Sequence, residues 1–232
     1  MINFTLVIPV FNEKDNIGNL LDEIKKTLLE YKQYEIIIVN DCSTDETEDL
    51  IKSLIKNHPI RLFNNSKNLG QSESLLCGIK NSKFDTIITL DGDGQNDPKD
   101  INLLIKKYFS DNNLYLVGGV RKKRKDSLIK IFSSKIANKV RAYILNDKCI
   151  DTGCGLKVFD KKTFLSFPFF NGIHRFLPAL FIGYGKKTFF INVNHRPRLY
   201  GYSKYGTFKR LVNGLRDIIK VWLIIKNFKK KL

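Results

Sequence analysis

The chain has 232 residues, 43% of them hydrophobic and 27% charged, enough for one substantial core and too apolar for bulk disorder. Its formal charge of +17 is unevenly spread: residues 1–120 carry 13 Lys and Arg against 18 Asp and Glu, and residues 121–232 carry 27 against 5. Such asymmetry turns the second half toward a polyanion: nucleic acid, an anionic bilayer or phosphorylated substrates.

In chain order, Phe4–Val10 is a β-rich apolar run, and Ile17, Leu20, Leu21, Ile24 and Leu28 then recur at helical spacing. A strand over Glu35–Val39 precedes a helix that starts after Ser43 and Thr44 and carries Leu50, Ile51, Leu54 and Ile55 on one face. The spacing next predicts strand Ile60–Phe63, helix Ser72–Lys80, strand Thr86–Leu90, helix Pro98–Tyr108 and strand Leu114–Val117, with Pro98 in the first helical turn. Alternation of this kind predicts an α/β fold, an open and mostly parallel sheet with helices on both faces. Ligands then bind beyond the C-terminal strand ends. Cys42, Cys77, Cys149 and Cys154 include no C-x-x-C pair and read as reduced thiols in a cytoplasmic protein rather than a zinc site. The N-terminus runs straight into a strand, with no signal peptide expected. The apolar run Val221–Ile225 is far short of the roughly 20 residues that span a bilayer.

The segments after the first four of these strands are PVFNE, NDCSTD, NNSKNLGQS and, after Thr86–Leu90, DGDGQNDP. A parallel sheet places them on one edge and gathers Glu13, Asp41, Asp91 and Asp93 in a crevice. Individually, Asn12, Asp41, Ser43 and Asp97 suit caps and turns. Four acidic strand ends together are more economically explained by a cation or a hydrogen-bonding ligand. DGDGQNDP is not an EF-hand loop, because Asn96 stands where the turn glycine belongs and Asn102 where a bidentate Glu belongs. Two carboxylates at i and i+2 past a strand suit a divalent ion shared with a diphosphate. No P-loop and no G-x-G-x-x-G after the first strand is present, so metal and basic side chains would have to hold that diphosphate.

VIPVFNE, VNDCSTD and LDGDGQNDP, in that order, resemble the family 2 glycosyltransferases of the GT-A fold. DGDGQNDP, DTGCGLKVF (151–159) and NHRPRLYGYSKY (194–205) look like its dolichyl-phosphate mannose synthase and bacterial polyprenyl-phosphate glycosyltransferase branch. The resemblance implies that Pro9, Phe11, Asn12 and Glu13 line a nucleotide pocket and that Asp41 accepts a hydrogen bond from the base. It puts Asp91 near ribose and diphosphate, with Asp93 and Gln95 coordinating Mg²⁺ or Mn²⁺. It also implies that Arg121 and Arg124 close over donor and acceptor phosphates, with Ser133 or Ser134 as hydroxyl donors. Arg198, Ser203 and Lys204 match the R-x-x-G-x-S-K element, although Tyr202 stands where an acidic residue is common. A planar guanidinium grips phosphate better than an ammonium does, which favours Arg121 and Arg198 as phosphate ligands. His174 and Arg175 open the helix-like HRFLPALF near the expected acceptor side, His174 serving either as an acceptor contact or as a packed core residue.

The function so implied is inverting transfer of a hexose, mannose or glucose-like, from a GDP- or UDP-sugar to a polyprenyl or dolichyl phosphate. A lipid phosphate is already ionised and needs no general base. The alternative is transfer to a sugar hydroxyl with Asp151 as base, Asp151 otherwise being a turn residue. A remoter reading is a non-catalytic membrane or nucleic-acid binder; nucleic acid is disfavoured because the aromatics form no stacking platform. At the C-terminus, Phe208, Leu211, Val212, Leu215, Ile218, Ile219, Trp222 and Ile225 fall on one helical face among lysines and arginines. Leu128, Ile129, Phe132, Ile136, Val140, Tyr143 and Ile144 do likewise, interleaved with Lys130, Lys135, Lys139 and Arg141. Basic amphipathic helices of this type lie in the bilayer interface, which predicts a protein attached peripherally to the cytoplasmic membrane face. The expected organisation is a glycosyltransferase domain over 1–205, with a nucleotide-sugar half (1–120) and an acceptor half (121–205), then an interfacial helix and tail over 206–232.

Overall fold

The computed structural model describes residues 2–57, 59–122, 139–147, 149–198 and 207–231, without the side chains of Asn57 and of 207–213. Seven strands are β1 (Asn3–Val10), β2 (Gln33–Asn40), β3 (Ile60–Asn64), β4 (Thr86–Thr89), β5 (Leu114–Arg121), β6 (Lys157–Asp160) and β7 (Lys187–Val193). They form one sheet in the order β3-β2-β1-β4-β6-β5-β7. The first four run parallel, β6 is antiparallel to both its neighbours, and β7 is parallel to β5. The sheet is therefore mixed and mostly parallel, as the alternating pattern predicts.

The helices are α1 (Lys14–Thr27), α2 (Thr47–Leu54), α3 (Gln71–Lys80), α4 (Asp100–Phe109), α5 (139–145), α6 (Lys161–Ser166), α7 (Leu177–Gly183) and α8 (Thr207–Lys229). Strand alternation divides the core. Phe4, Leu6 and Ile8 of β1 face one way, onto Ile17, Leu21 and Ile24 of α1 and Leu104 of α4. Val7 faces the other way, with Leu75 and Ile79 of α3, Phe181 of α7 and Val221 and Ile225 of α8. Helix α3 sits close on that face because Gly78 has no side chain: a Cβ there would come 2.5 Å from Val7.

Three expectations change. Helix α4 starts at Asp100, two residues after Pro98, because Asp97 organises the intervening turn: its Oδ1 accepts the Lys99 amide at 3.0 Å. Arg141 does not face a bilayer. It is 3% exposed, forms an ion pair with Asp147 at 2.9 Å and donates to Thr152 Oγ1 at 2.7 Å and to the Cys149 carbonyl. Burial raises the Asp147 carboxyl above its ordinary range. The apolar face expected on α8 is divided: Ile218 and Ile225 pack on the domain, whereas Leu215, Ile219 and Trp222 are exposed beside Leu223. Phe208, Leu211 and Val212 have side chains outside the described set, as do the expected amphipathic positions 128–136. Among the described residues no helix is long and apolar enough to cross a membrane.

Candidate active site

Strands β1, β2 and β4 end on the same edge, with Val10 opposite Asn40 and Val7 opposite Thr89. Two non-glycine residues there are left-handed, Asn12 (φ 53°) and Cys42 (φ 61°). Such residues persist where surrounding structure over-determines them. Here Asn12 Oδ1 accepts the Thr44 amide at 2.7 Å, the Asn12 amide donates to Ser43 Oγ at 2.9 Å, and the Glu13 amide donates to Thr47 Oγ1 at 2.9 Å. The loops after β1 and β2 are thereby stapled together, with Pro9 and Phe11 half-buried beside them. Asp41, 4% exposed, organises the loop after β3: Oδ1 accepts from Asn65 Nδ2 at 2.7 Å and from the Leu69 amide at 2.9 Å, and Oδ2 from the Gly70 amide at 2.8 Å.

Asp91 lies deep in the crevice. Gln71 Nε2 donates to its Oδ1 at 2.8 Å, and the carboxylate fits against the bare Cα of Gly155, where any Cβ would overlap it. Burial, then the neighbouring Asp93 charge, push the Asp91 carboxyl up to about 6, against the opposing pull of Lys157 and Arg121. Asp93 Oδ1 accepts the Gln95 amide at 3.1 Å. The Gln95 side chain gives its Nε2 to the Arg196 carbonyl at 3.4 Å, which leaves its carbonyl oxygen as the end suited to a cation. Two neighbouring carboxylates plus an amide oxygen form a hard-oxygen donor set that fits Mg²⁺ or Mn²⁺. Among the described residues no group of three or more His, Cys, Asp and Glu gathers as a self-sufficient metal cage.

The segment after β7 lies across this loop as a strap. Its alternate residues each meet an acid. The Asn194 amide donates to Asp100 at 2.6 Å, Arg196 pairs with Glu23 at 2.7 Å and Asp97 at 2.9 Å, and Arg198 pairs with Glu13 at 2.6 Å and lies 3.7 Å from Asp93. Arg198 thus bridges the β1 and β4 ends in the position of an internal counter-ion.

Arg121 holds Asp151. Its Nε and Nη2 donate to Oδ2 and Oδ1 at 2.6 and 2.7 Å, and its backbone amide adds a third bond to Oδ2 at 3.2 Å. Asp151 also stands directly before the turn at Thr152 and Gly153. Of the expected acceptor residues, His174 has its Nδ1 2.6 Å from Ser72 Oγ at the start of α3, and Arg175 pairs with Asp217 of α8 at 2.7 Å. Arg124, Ser133, Ser134, Ser203 and Lys204 lie outside the described residues. The structure adds Gln71, Lys157 and Arg196, which the sequence reading passed over. Lys157, 4% exposed, donates to the Cys154 carbonyl beside Asp91. An inward lysine in an apolar run and the alternation Asn194, Arg196, Arg198 were the available signals.

The Glycosyl transferase family 2 model matches residues 5–169. Similar curated proteins include the dodecaprenyl-phosphate galacturonate synthase of Rhizobium johnstonii, 31% identical over 97% of this chain and 68% of its own length. The undecaprenyl-phosphate 4-deoxy-4-formamido-L-arabinose transferase of Edwardsiella ictaluri is 31% identical over 93% of this chain and 66% of its own. The chain spans about two thirds of the length of both relatives. Among solved structures, glucosyl-3-phosphoglycerate synthase of Mycobacterium tuberculosis with Mn²⁺ and UDP superposes with a TM-score of 0.72 over 96% of this chain and 79% of that one, at 18% identity. That likeness establishes the GT-A type of fold. With the family model covering most of the chain and relatives above 30% identity, the protein belongs to glycosyl transferase family 2 and is a glycosyltransferase.

Proposed function

We propose that the chain transfers a sugar from a nucleoside-diphosphate donor to the phosphate of a polyprenyl lipid, with inversion and with the aid of Mg²⁺ or Mn²⁺. The observation that carries this reading is the pairing of an acidic crevice, Glu13, Asp41, Asp91 and Asp93, with an Asp151 already committed to Arg121. A hydroxyl acceptor would call for a general base; an ionised phosphate brings its own nucleophilic oxygen. The two named relatives act on dodecaprenyl and undecaprenyl phosphate, which supports the same acceptor class. Their sugars are galacturonate and a formamido-arabinose, so the sugar proposed here widens from mannose or glucose to glycosyl units that include uronic acids and amino sugars.

In this reading Pro9, Phe11, Asn12, Glu13 and Asp41 hold the nucleoside, and Asp91, Asp93 and Gln95 hold the cation. When bound, that cation would offset the charge gathering on the departing diphosphate. Arg198 exchanges its carboxylate partners for phosphate oxygens, and Arg121, oriented by Asp151, faces the acceptor phosphate. Catalysis is then chiefly positioning and charge stabilisation.

The exposed stripe Leu215, Ile219, Trp222 and Leu223 on α8 is flanked by Arg216, Lys220 and Lys226, and Lys226 stacks over Trp222 at 4.6 Å. An apolar ridge with a basic border suits an anionic bilayer surface, each cation adding roughly 1 kcal/mol near the lipid. The proposed location is therefore the cytoplasmic membrane face, where a polyprenyl phosphate is available. The test is label transfer from a sugar nucleotide to undecaprenyl phosphate in wild type and in Asp93→Ala. Loss of metal-dependent turnover by roughly 100-fold or more is expected for removing a transition-state charge contact; full activity of the variant would refute the assigned role.

A further inference from the structure

We infer that Arg196 is a positioning residue that acts through Gln95: its guanidinium fixes the strap, and its backbone keeps the Gln95 amide oxygen, not the nitrogen, as the end offered to the cation. This rests on the proposal above that Gln95 holds the cation. A side-chain amide presents an oxygen and a nitrogen of nearly the same shape, and only the oxygen suits a hard cation. Something must therefore choose the end. At Gln95 the strap does so: the Arg196 carbonyl accepts from Gln95 Nε2 at 3.4 Å, and the Arg196 amide donates to the Gln95 carbonyl at 2.8 Å. Asn96 and His195 pair beside them as an isolated antiparallel bridge. The metal loop and the strap thus form a short ladder, and turning the Gln95 amide over would set its oxygen against the Arg196 carbonyl.

The Arg196 side chain holds that carbonyl in place. Its Nη1 donates to Glu23 of α1 at 2.7 Å, and its Nη2 lies 2.9 Å from Asp97, at the far end of the same loop. Neither acid is among the proposed cation ligands. A cavity of about 220 Å³, bounded by Asn16, Asn19 and Glu23 on one side and by Asp93, Gly94 and Arg196 on the other, separates α1 from the loop. The loop does not rest directly on the helix there, so the Arg196–Glu23 pair is a tie across the gap. A forked guanidinium meets two carboxylates at once in fixed geometry, whereas an ammonium acts as a point charge. The two arginines of the strap therefore differ in task. Arg198 reaches Glu13 and Asp93 directly, and Arg196 acts on the loop from outside the ligand set.

Binding of Mn²⁺ in the presence of UDP and, separately, of GDP, followed by the paramagnetic resonance signal of the free ion, tests this apart from turnover. Arg196→Ala is expected to weaken Mn²⁺ binding roughly 10-fold, the scale for losing a group that orients a metal ligand. Arg196→Lys should recover part of that loss. Glu23→Ala, which removes one arm of a partly exposed pair, should weaken binding by roughly 3-fold. In a Gln95→Ala background both losses are expected to vanish, because residues acting in one chain are not additive. Should Arg196→Ala not fold, the same comparison is made with Glu23→Ala, whose side chain is 40% exposed. Unchanged Mn²⁺ affinity in the folded variants, or losses that simply add to that of Gln95→Ala, would overturn the inference and leave the cation site standing. Failure of the wild-type chain to bind Mn²⁺ with either nucleotide would instead overturn the cation reading, and the inference with it.

Discussion

At the scale of single residues, the site is a set of carboxylates that are each given a task by what they touch. Asp41 shapes a loop, Asp97 a turn, Asp151 orients an arginine, and Asp91 with Asp93 forms the pair proposed to hold the cation. The raised Asp91 pKa has a testable sign. In the folded chain Asp91 holds its proton to about 6, whereas unfolding returns it to the usual carboxylate range near 4. Between those values the native state binds more protons, so this group's contribution to stability falls as pH rises through the window. Urea midpoints of the metal-free chain should therefore show Asp91→Asn gaining on wild type from pH 4 to pH 7. A constant difference across that range would remove Asp91 from the explanation. The carboxylates at 91 and 93 were legible in the sequence, because strand-then-D-x-D is a local pattern. Gln71 and Lys157 were not, since Gln71 bonds Asp91 from a helix and the Lys157 charge acts on it from another strand, and only tertiary packing brings them there.

At the scale of elements, α5 and α8 show why amphipathic periodicity does not say which face is buried against what. Arg141 in α5 looked like one of a row of interfacial cations, and it is instead the buried partner of Asp147. Truncating it in Arg141→Ala leaves Asp147 uncompensated, and about 3–5 kcal/mol of stability should be lost; a urea denaturation curve within about 1 kcal/mol of wild type would contradict the buried pair. Helix α8 has two apolar faces. One closes the core with Val221 and Ile225, packed so near α7 that a Cβ on Gly183 would come 2.5 Å from Ile225. Deleting the helix would therefore expose the core as well as remove the proposed membrane contact. Glutamates at Leu215, Ile219 and Trp222 touch only the exposed face. They should leave the melting temperature nearly unchanged while shifting the protein off anionic vesicles in a flotation assay. Undiminished flotation would assign that face to something other than lipid. Strands β6 and β7 escaped the sequence reading for related reasons: β6 is four residues long and is stabilised by two antiparallel neighbours distant in sequence, and β7 is an edge strand with a half-exposed pattern.

At the scale of the whole molecule, the charge division seen in the sequence becomes a division of labour. The acidic half supplies the crevice at the C-terminal strand ends, and the basic half contributes Arg121, Lys157, Arg196 and Arg198 to it as well as the cationic border of α8. The parallel half of the sheet was legible because each strand announces its helix. The strap at 194–198, which ties the far edge of the sheet back over the β4 loop, depends on non-local ion pairs that no periodicity encodes. The proposal that joins these parts is that the nucleophile is a lipid phosphate and that the chain supplies position and charge but no base. Its most direct test is the product formed from labelled UDP-sugars and undecaprenyl phosphate. Label extracted with the lipid and released by mild acid is the expected result. Label in an acid-stable glycoside, formed on a hydroxyl acceptor and lost in Asp151→Asn, would contradict it.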